Sequence, residues 1–540
     1  MVRKKNAWCE IILIQLLTQQ TVSFIINGLF FLLYCTKQKP LMEQTQSLEE
    51  IQSFTGKYPK QLWYLFLVEM WERFCFYGMR GVLTIFMADK LLGLALSDKD
   101  ANLKYGAIQA FVYAFTFIGG IFADKILGFK KSLLFGGCVM IIGNIIIAVS
   151  PQNFFYLGIT LSIIGTGFFK PNISSMVGDL YKEGDARRDA GFGLFYSGIN
   201  IGALLGGVVC VYLGKSPDYG WSYAFISAAV VMAIGLVTFL FVRKSLGPIG
   251  NSPLLNLAPA QRSIREIAVY AGSLLSIPLI FMMIKNTDYT DYFMYTIGPL
   301  AIIYFIYEAL KEKESGARKK LMAAFIFILF SIIFWAFFEQ SGGSLALFAQ
   351  DNLHHSLLGF TVDPNIINNS ANSLFVIIFS PLMGLVWLAM IKRKIEPNTV
   401  IKFGIGFLFL AAAFYAFYFT RFHADADGKT SLNIFTIAYL IITFGELCLS
   451  PIGLSIMTKL SPKRLSGMMM GMWFLASAYG QYAAGLLGAG MSSPDANAGL
   501  TEKLIGYTDG YKQLAIYALI AGVVMIAISP VVKKLMQEVK

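Results

Sequence analysis

Charged residues are scarce in this chain. Asp, Glu, Lys and Arg make up 14% of its 540 residues, whereas hydrophobic residues make up 56%. Soluble proteins carry about 25% charged residues, so this chain could not cover a water-facing surface. The mean hydropathy of +0.62 agrees with that conclusion. The composition therefore excludes a soluble catalytic domain and predicts a protein whose solvent is the lipid bilayer.

Cysteine and histidine are also few. The six cysteines are widely scattered in or beside apolar stretches, and the three histidines (His354, His355 and His423) fall in predicted external loops. Neither residue type shows the spacing of a metal site or of a disulfide framework. We expect the cysteines to pack as small hydrophobic residues, and we expect no metal and no cofactor.

Basic residues exceed acidic residues, 44 to 32, for a formal net charge of +12. No basic run outside the apolar segments carries interleaved aromatic side chains, so no nucleic-acid partner is expected. Basic residues instead recur in every second loop, which is typical of cytoplasmic loops in membrane proteins. These loops contain Lys130, Lys131, Arg187, Arg188, Lys319, Lys320, Lys392, Arg393, Lys463 and Arg464. Both ends of the helical body are therefore predicted to be cytoplasmic.

About fourteen segments are long and apolar enough to cross a bilayer as helices. They lie near 63–89, 105–123, 131–150, 154–176, 190–213, 221–243, 266–284, 290–310, 320–349, 371–391, 399–420, 432–457, 466–489 and 512–534. Lipid offers the backbone no other partner outside closed barrels, and the alternating strands of a barrel are absent. The predicted fold class is an all-α integral membrane protein.

The first 41 residues do not fit this topology. Arg3, Lys4 and Lys5 precede an apolar stretch that reaches about Cys35 and resembles a signal anchor or signal peptide. A spanning helix there would invert every loop that follows. We therefore expect translation to begin at Met42, with the residues before it absent from the mature protein.

Ionisable residues inside membrane helices are costly and point to function. Seven are found, namely Glu69, Glu72, Arg73, Arg80, Lys170, Glu339 and Glu446. Four of them lie in EMWERFCFYGMR (residues 69–80), where helical spacing places most of the charges on one face. That face is predicted to line a polar cavity. The alternative is a cluster of ion pairs between helices that has only a structural role.

Three segments combine a charge with helix-breaking residues. GTGFFKPN (165–172) contains Lys170, GELCLSPIGLS (445–455) contains Glu446, and FWAFFEQSGGSLALFA (334–349) contains Glu339. Bent or broken helices of this kind often line transporter sites. Helix packing alone would explain the glycines and prolines, but it would not explain the charges.

GGIFADKILGFKK (119–131) is similar to the loop between the second and third helices of the major facilitator superfamily. Asp124, Lys130 and Lys131 would then gate a cytoplasmic loop electrostatically. The alternative is a basic loop that only orients the chain, with an aspartate there by chance.

Together these motifs resemble the proton-coupled oligopeptide transporter (POT) family of the major facilitator superfamily. EMWERFCFYG resembles the family segment E-x-x-E-R-F-x-Y-Y, and FYSGINIGALLG (195–206) resembles F-Y-x-x-I-N-x-G. The matches run in order across residues 58–490 and include WFLASAYG (473–480). The resemblance implies two six-helix bundles plus two accessory helices of the bacterial type, fourteen transmembrane helices in all.

The domain boundaries follow from the resemblance. Residues 1–57 form an N-terminal extension, 58–243 the N-terminal bundle, 244–315 a linker with the accessory helices, and 316–540 the C-terminal bundle.

The resemblance also implies roles for individual residues. Substrate would be bound by Arg73, Tyr77, Tyr113, Lys170, Asn200, Asn372, Glu446, Ser450 and Trp473. Proton coupling would involve Glu69, Glu72, Arg73 and Glu339. Arg80 and Glu339 would form an external gate, and Lys170 and Glu446 a cytoplasmic gate.

Phe76 departs from the family pattern, because it replaces the first tyrosine of the Y-Y pair. The missing hydroxyl puts the preference for substrate side chains in doubt more than the transport mechanism. The second helix also lacks the histidine of animal members, so coupling must depend on carboxylates.

The charges support the same function independently. A short peptide is a zwitterion, and a cavity with cations on one wall and a carboxylate on the other suits its two ends. We therefore predict a monomeric proton-coupled symporter for di- and tripeptides in a bacterial inner membrane. The alternatives are the same fold with nitrate or a small organic anion as cargo, a channel, and a membrane-embedded enzyme.

Overall fold

A computed structural model describes residues 46–449, 453–493 and 498–539. The residues from Leu48 onward form one compact unit. The apolar stretch before Met42 and the proposed translation start lie outside the described residues.

The first half of the structure consists of six long helices after a short one. They are α1 (Leu48–Gln52), α2 (Lys60–Ala88), α3 (Asp98–Phe122), α4 (Phe129–Val149), α5 (Pro151–Asp179), α6 (Arg187–Lys215) and α7 (Trp221–Val242). A π-helical turn over Ala123–Leu127 follows α3 and carries Asp124. The α5 helix continues through Pro171, so it is not broken there, and a bend at this proline stays a prediction.

The α5 helix packs closely against α3 beside its proline. Pro171 cannot donate a hydrogen bond to the carbonyl of Gly167, four residues earlier. Gly119 of α3 packs against that carbonyl so closely that a Cβ on Gly119 would lie 2.2 Å from the Gly167 oxygen. The Gly167 carbonyl, to which Pro171 cannot donate, therefore lies against a residue of α3 that has no side chain.

A linker of three helices follows the first half. They are α8 (Pro259–Leu275), α9 (Ile277–Lys285) and α10 (Thr287–Lys311). Together α8 and α9 cover the first predicted accessory segment, and α10 covers the second.

The second half mirrors the first in its number of long helices. It contains α11 (Ser315–Phe338), α12 (Ser344–Asn352), α13 (Pro364–Lys392), α14 (Thr399–Phe419), α15 (Leu432–Leu449), α16 (Gly453–Leu460), α17 (Ser466–Met491), α18 (Leu500–Ala527) and α19 (Ser529–Met536). A two-stranded hairpin, β1 (Ser356–Leu357) and β2 (Phe360–Thr361), pairs Ser356 with Thr361 between α12 and α13. A 3₁₀ turn over Glu339–Gly342 separates α11 from α12, so the predicted bend at the glycine pair is present.

Within the described ranges, 12 helical segments are long and apolar enough to cross a membrane. The α2 and α17 helices are as long but are not among them, because α2 carries five charged residues and α17 contains six glycines, which lower its mean hydropathy. With these two, every predicted apolar segment corresponds to a helix. The fourteen-helix prediction is therefore confirmed.

Two seams join the halves. The α3 helix packs against α17, and α6 packs against α13. Gly106 and Gly485 meet in the first seam, where a Cβ on either would lie 2.7 Å from the Cα of the other. Glycines allow such close contact between membrane helices. The accessory helix α10 lies beside this seam, because Tyr482 of α17 donates a hydrogen bond of 2.5 Å to Asp291.

Replacing Gly485 with valine should destabilise the protein, because the new side chain must displace the backbone of α3. Overpacking of this kind costs about 1–3 kcal/mol, and we expect the melting temperature of the detergent-purified protein to fall by several degrees. Gly490→Val is the matched control, since a Cβ there meets nothing within 4 Å. Equal losses in the two variants would contradict this account of the seam.

Candidate functional site

A cavity of about 390 Å³ lies between the two halves. The predicted residues that line it are Glu69, Arg73, Tyr77, Arg80, Tyr113, Lys170, Asn200, Glu339, Asn372 and Glu446. They come from six different helices and the 3₁₀ turn, so residues far apart in the chain meet at one site. This volume is within the range of pockets that hold small organic ligands.

Two cations form one wall of the cavity. Arg73 of α2 donates from Nε to Glu69 Oε1 at 2.8 Å, and its Nε also lies 2.8 Å from Glu72 Oε2. Glu72 is fully buried and does not line the cavity. The charge of Arg73 is therefore neutralised by two carboxylates of its own helix.

Lys170 of α5 has no such partner. Among the described residues, no carboxylate lies within the 4.0 Å of an ion pair from its ammonium group. The ammonium instead lies over two aromatic rings, 4.3 Å from the centre of Tyr113 and 5.3 Å from that of Phe76. Phe76 also lies under Arg73, at 5.8 Å. Its ring contacts both cations through the aromatic face, which the missing hydroxyl does not affect.

The opposite wall carries a carboxylate. Asn372 of α13 donates from Nδ2 to Glu446 Oε2 at 2.9 Å and to Thr443 Oγ1 at 3.1 Å. Glu446 and Thr443 belong to α15. The predicted Lys170–Glu446 ion pair is not formed between these two described residues, because the cavity separates α5 from α15. That gate stays a prediction for a conformation in which this side is closed.

The external gate residues meet in the structure. Arg80 of α2 forms an ion pair with Glu339, which opens the 3₁₀ turn after α11. The Arg80 Nε also donates to Tyr105 Oη at 2.8 Å, and a terminal nitrogen lies 3.3 Å from Ser341 Oγ. Thr84 donates to the carbonyl of Gly342 beside this pair. The two halves are thus joined above the cavity.

Further ion pairs lie at the same end. In the described part of the chain, two more join the halves, Lys215 with Asp363 at 2.9 Å and Lys503 with Asp98 at 2.8 Å. The structure is therefore closed at the Glu339 end, which the loop charges predict to be external. The cavity lies on the other side of this closure.

An asparagine stripe on α13 was predicted only at Asn372. Asn365, Asn368, Asn369 and Asn372 recur at helical spacing in PNIINNSANS (364–373), and that spacing could have revealed it. Asn369 donates to the carbonyl of Gly81 in the other half at 3.1 Å. Asn368 donates to the Ser341 carbonyl at 2.8 Å and accepts from Tyr439 Oη at 2.6 Å.

Three further predicted substrate residues differ in where they lie. Trp473 is buried in the hydrophobic core of the second half, and its neighbour Phe474 lines the cavity. Asn200 lines the cavity and donates to the Tyr196 carbonyl of its own helix at 3.0 Å. Ser450 lies outside the described residues. Contacts of these side chains with a substrate stay predictions.

The predicted loop motif is divided between two surfaces. Lys130 donates to the Gly247 carbonyl at 2.6 Å, and Lys131 binds both oxygens of Glu266 in α8 at 2.6 and 2.7 Å. Asp124 lines a separate groove with Asp179. Both lysines hold the linker, and the gating role of the motif stays a prediction.

Comparison with known proteins gives the family. The profile described as "POT family" matches residues 130–504, more than half of the chain. This chain belongs to the POT family. A profile of "Sugar (and other) transporter" proteins matches residues 11–246, as expected for a larger group that shares the fold.

Two bacterial relatives can be aligned with most of this chain. It is 35% identical to "Peptide transporter YePEPT" of Yersinia enterocolitica over 80% of this chain and 88% of the relative. It is 30% identical to "Dipeptide and tripeptide permease A" of Pectobacterium carotovorum over 92% and 96% of the two chains.

Solved structures of POT proteins have the same fold. A peptide transporter POT in complex with sulfate has a TM-score of 0.77 at 32% identity, covering 91% of this chain and 99% of the other. A POT family transporter in complex with 5-aminolevulinic acid has a TM-score of 0.78 at 29% identity, covering 90% and 100%. The chain is a multi-pass membrane protein with the major facilitator fold, two six-helix bundles and two accessory helices.

Removing the hydroxyl of Tyr105 should weaken the closed end, because Arg80 loses a buried acceptor. A hydrogen bond to a charged group contributes about 1.5–3 kcal/mol, so we expect Tyr105→Phe to lower the melting temperature measurably. Tyr77→Phe is the matched control, since the Tyr77 ring packs against Arg80 at 5.7 Å through its face. An equal loss in Tyr77→Phe would contradict a specific role for the Tyr105 hydroxyl.

Proposed function

We propose that this POT protein is a proton-coupled symporter that imports di- and tripeptides by alternating access. The observation that carries the proposal is the charge arrangement of the cavity. Lys170 presents an ammonium group without an ion-pair partner among the described residues, and Glu446 presents a carboxylate on the opposite wall. A zwitterion of the right length would bind both.

The two ends of a peptide would contact different halves of the protein. Its carboxylate would meet Lys170 and Arg73, and its amino group would meet Glu446 with Asn372 beside it. Charge-assisted hydrogen bonds to the backbone ends tolerate different side chains between them. The named peptide transporter and permease relatives support this substrate class. A small anion such as nitrate would have no use for Glu446.

Proton coupling would depend on the carboxylates that pair with cations across the seam. A proton on Glu339 would remove the attraction that holds Arg80, so the Glu339 end could open. Closure of the other end would bring Lys170 to Glu446, as the sequence predicts. Glu69 and Glu72 would determine how far the positive charge of Arg73 is neutralised during the cycle. Energy comes from the proton gradient in this scheme, and no cofactor is required.

The proposed setting is a bacterial inner membrane, with the protein active as a monomer. Bacterial relatives of the same family support the membrane assignment. The basic loops support an orientation with both ends of the helical body in the cytoplasm.

Uptake of labelled dialanine into proteoliposomes tests the substrate class. With an inward proton gradient, we expect the wild-type protein to accumulate dialanine and a protonophore to abolish accumulation. Glu446→Ala should reduce uptake at least tenfold, because the peptide amino group loses its carboxylate. Glu314→Ala is a suitable control, because Glu314 is exposed and caps no helix with its side chain. Failure of the folded wild-type protein to accumulate dialanine would shift the cargo to another small molecule.

Glu339→Gln tests the coupling separately. The variant should still exchange labelled for unlabelled dialanine across the membrane, because the binding residues are intact. It should fail to concentrate dialanine against a gradient, because position 339 can no longer bind and release a proton. Accumulation that still responds to the proton gradient would show that Glu339 is not the coupling residue.

A further inference from the structure

Two lysines meet at the predicted external end, where the accessory helices join the first half. Lys104 of α3 donates from Nζ to the backbone carbonyl of Lys285 at 2.5 Å. Lys285 is the last residue of α9, and α9 packs against α3 and α5. The two ammonium groups are close enough to repel each other electrostatically. This corner of the protein therefore concentrates positive charge.

This positive charge is not neutralised by an ion pair. In the part of the chain that the structure describes, no carboxylate forms an ion pair with either ammonium group. Asp100, one turn before Lys104, acts on it electrostatically, but the Asp100 carboxylate accepts a hydrogen bond of 2.7 Å from Ser97 Oγ. Lys285 is exposed. Both ammonium groups can therefore still bind an anion.

Aromatic rings hold the two ammonium groups in place. Lys104 Nζ lies 5.3 Å from the centre of the Tyr156 ring of α5, and Lys285 Nζ lies 5.7 Å from the centre of the Phe281 ring of α9. The two rings pack edge to face with their centres 6.3 Å apart. A ring face attracts an ammonium group but carries no net charge. The contacts thus position the lysines and leave their charge available to another group.

An apolar groove lies beside the lysines, between α9 and α10. It has a volume of about 410 Å³, and Leu279, Met282, Tyr292 and Ile297 are among the residues that line it. Met282 and Tyr292 are 53% and 68% exposed. Met282 lies three residues before Lys285, which is less than one helical turn. In a spanning protein the hydrocarbon of the bilayer surrounds such a surface, so an acyl chain is the group that can fill the groove.

We propose that this corner binds one anionic diacyl phospholipid of the surrounding bilayer. The lipid phosphate lies between Lys104 and Lys285, and one acyl chain occupies the groove between α9 and α10. Two cations without an ion pair favour an anionic headgroup over a zwitterionic one, whose own cation they would repel. The lipid would thereby connect the accessory helices to α3 and α5. This site is separate from the substrate cavity and does not depend on the proposed cargo.

Native mass spectrometry of the detergent-purified protein tests the site with phosphatidylglycerol and phosphatidylcholine of identical acyl chains. The wild-type protein should bind its first phosphatidylglycerol about tenfold more tightly than its first phosphatidylcholine, because two lysines attract the anionic headgroup. Lys104→Gln combined with Lys285→Gln should abolish this preference. Lys285→Gln alone should reduce it about threefold, and this variant keeps the Lys104 hydrogen bond, which uses the Lys285 backbone.

Lys99→Gln combined with Lys512→Gln is the matched control. Both lysines are exposed at the same predicted end, and Lys512 also lies over a ring, 5.4 Å from the centre of Tyr418. This control removes the same charge and should keep the lipid preference. The site is overturned if the wild-type protein binds both lipids equally, if Lys285→Gln retains the full preference, or if the control loses as much as the double variant of Lys104 and Lys285.

Thr296→Trp tests the groove separately from the charges. Thr296 lines the groove and donates only to the Tyr292 carbonyl of its own helix, so a larger side chain there should fill the space and weaken phosphatidylglycerol binding several-fold. Ile303→Trp is the control, because Ile303 is 63% exposed on α10 outside the groove. Glycerol 3-phosphate, which lacks acyl chains, should not displace the lipid. Displacement by it, or unchanged binding in Thr296→Trp, would overturn the assignment of an acyl chain to the groove.

Discussion

Lipid cannot solvate a charge, so each ionisable group within the membrane helices must be stabilised by the protein itself or by water in a cavity. That constraint explains how this structure is organised around its centre. Glu69 and Glu72 neutralise Arg73 on the same helix, whereas Arg80 must find Glu339 in the other half. The first kind of pair is permanent, and the second exists only while the halves are close. Because lipid cannot stabilise an unpaired charge, the neutralisation of Arg80 and Glu339 depends on the two halves being close together.

The two sides of the molecule carry separate pairs of opposite charges, and only one of these pairs is in contact. In the structure, Arg80 and Glu339 are paired, while Lys170 and Glu446 face each other across a cavity. Lys170 is stabilised meanwhile by the faces of Tyr113 and Phe76, which is a weaker substitute for a carboxylate. A ligand with two opposite charges would supply what both walls lack. Such a ligand would give Lys170 and Glu446 the ion-pair partners that Arg80 and Glu339 already have in each other.

Much of this arrangement was predictable because membrane solvation acts on sequence directly. Long apolar segments had to be helices, and a charge such as Lys170 or Glu339 within one had to face protein or water. Contacts within the asparagine stripe were less visible, because Asn368 and Asn369 are neutral and their donors could have served their own helix. Whether Pro171 would break α5 or only bend it was left open by the sequence, and the close contact of Gly119 with the Gly167 carbonyl beside this proline is revealed by no local pattern.

The accessory helices are part of the mechanics of the fold because they bind both halves. At the predicted cytoplasmic end, α8 is held by the Glu266–Lys131 ion pair to the first half. At the same end, α10 is held by the Glu308–Arg464 ion pair, at 2.7 Å, to the second half. Since α8, α9 and α10 are consecutive, the linker connects the two halves at this end through ion pairs as well as through the chain itself.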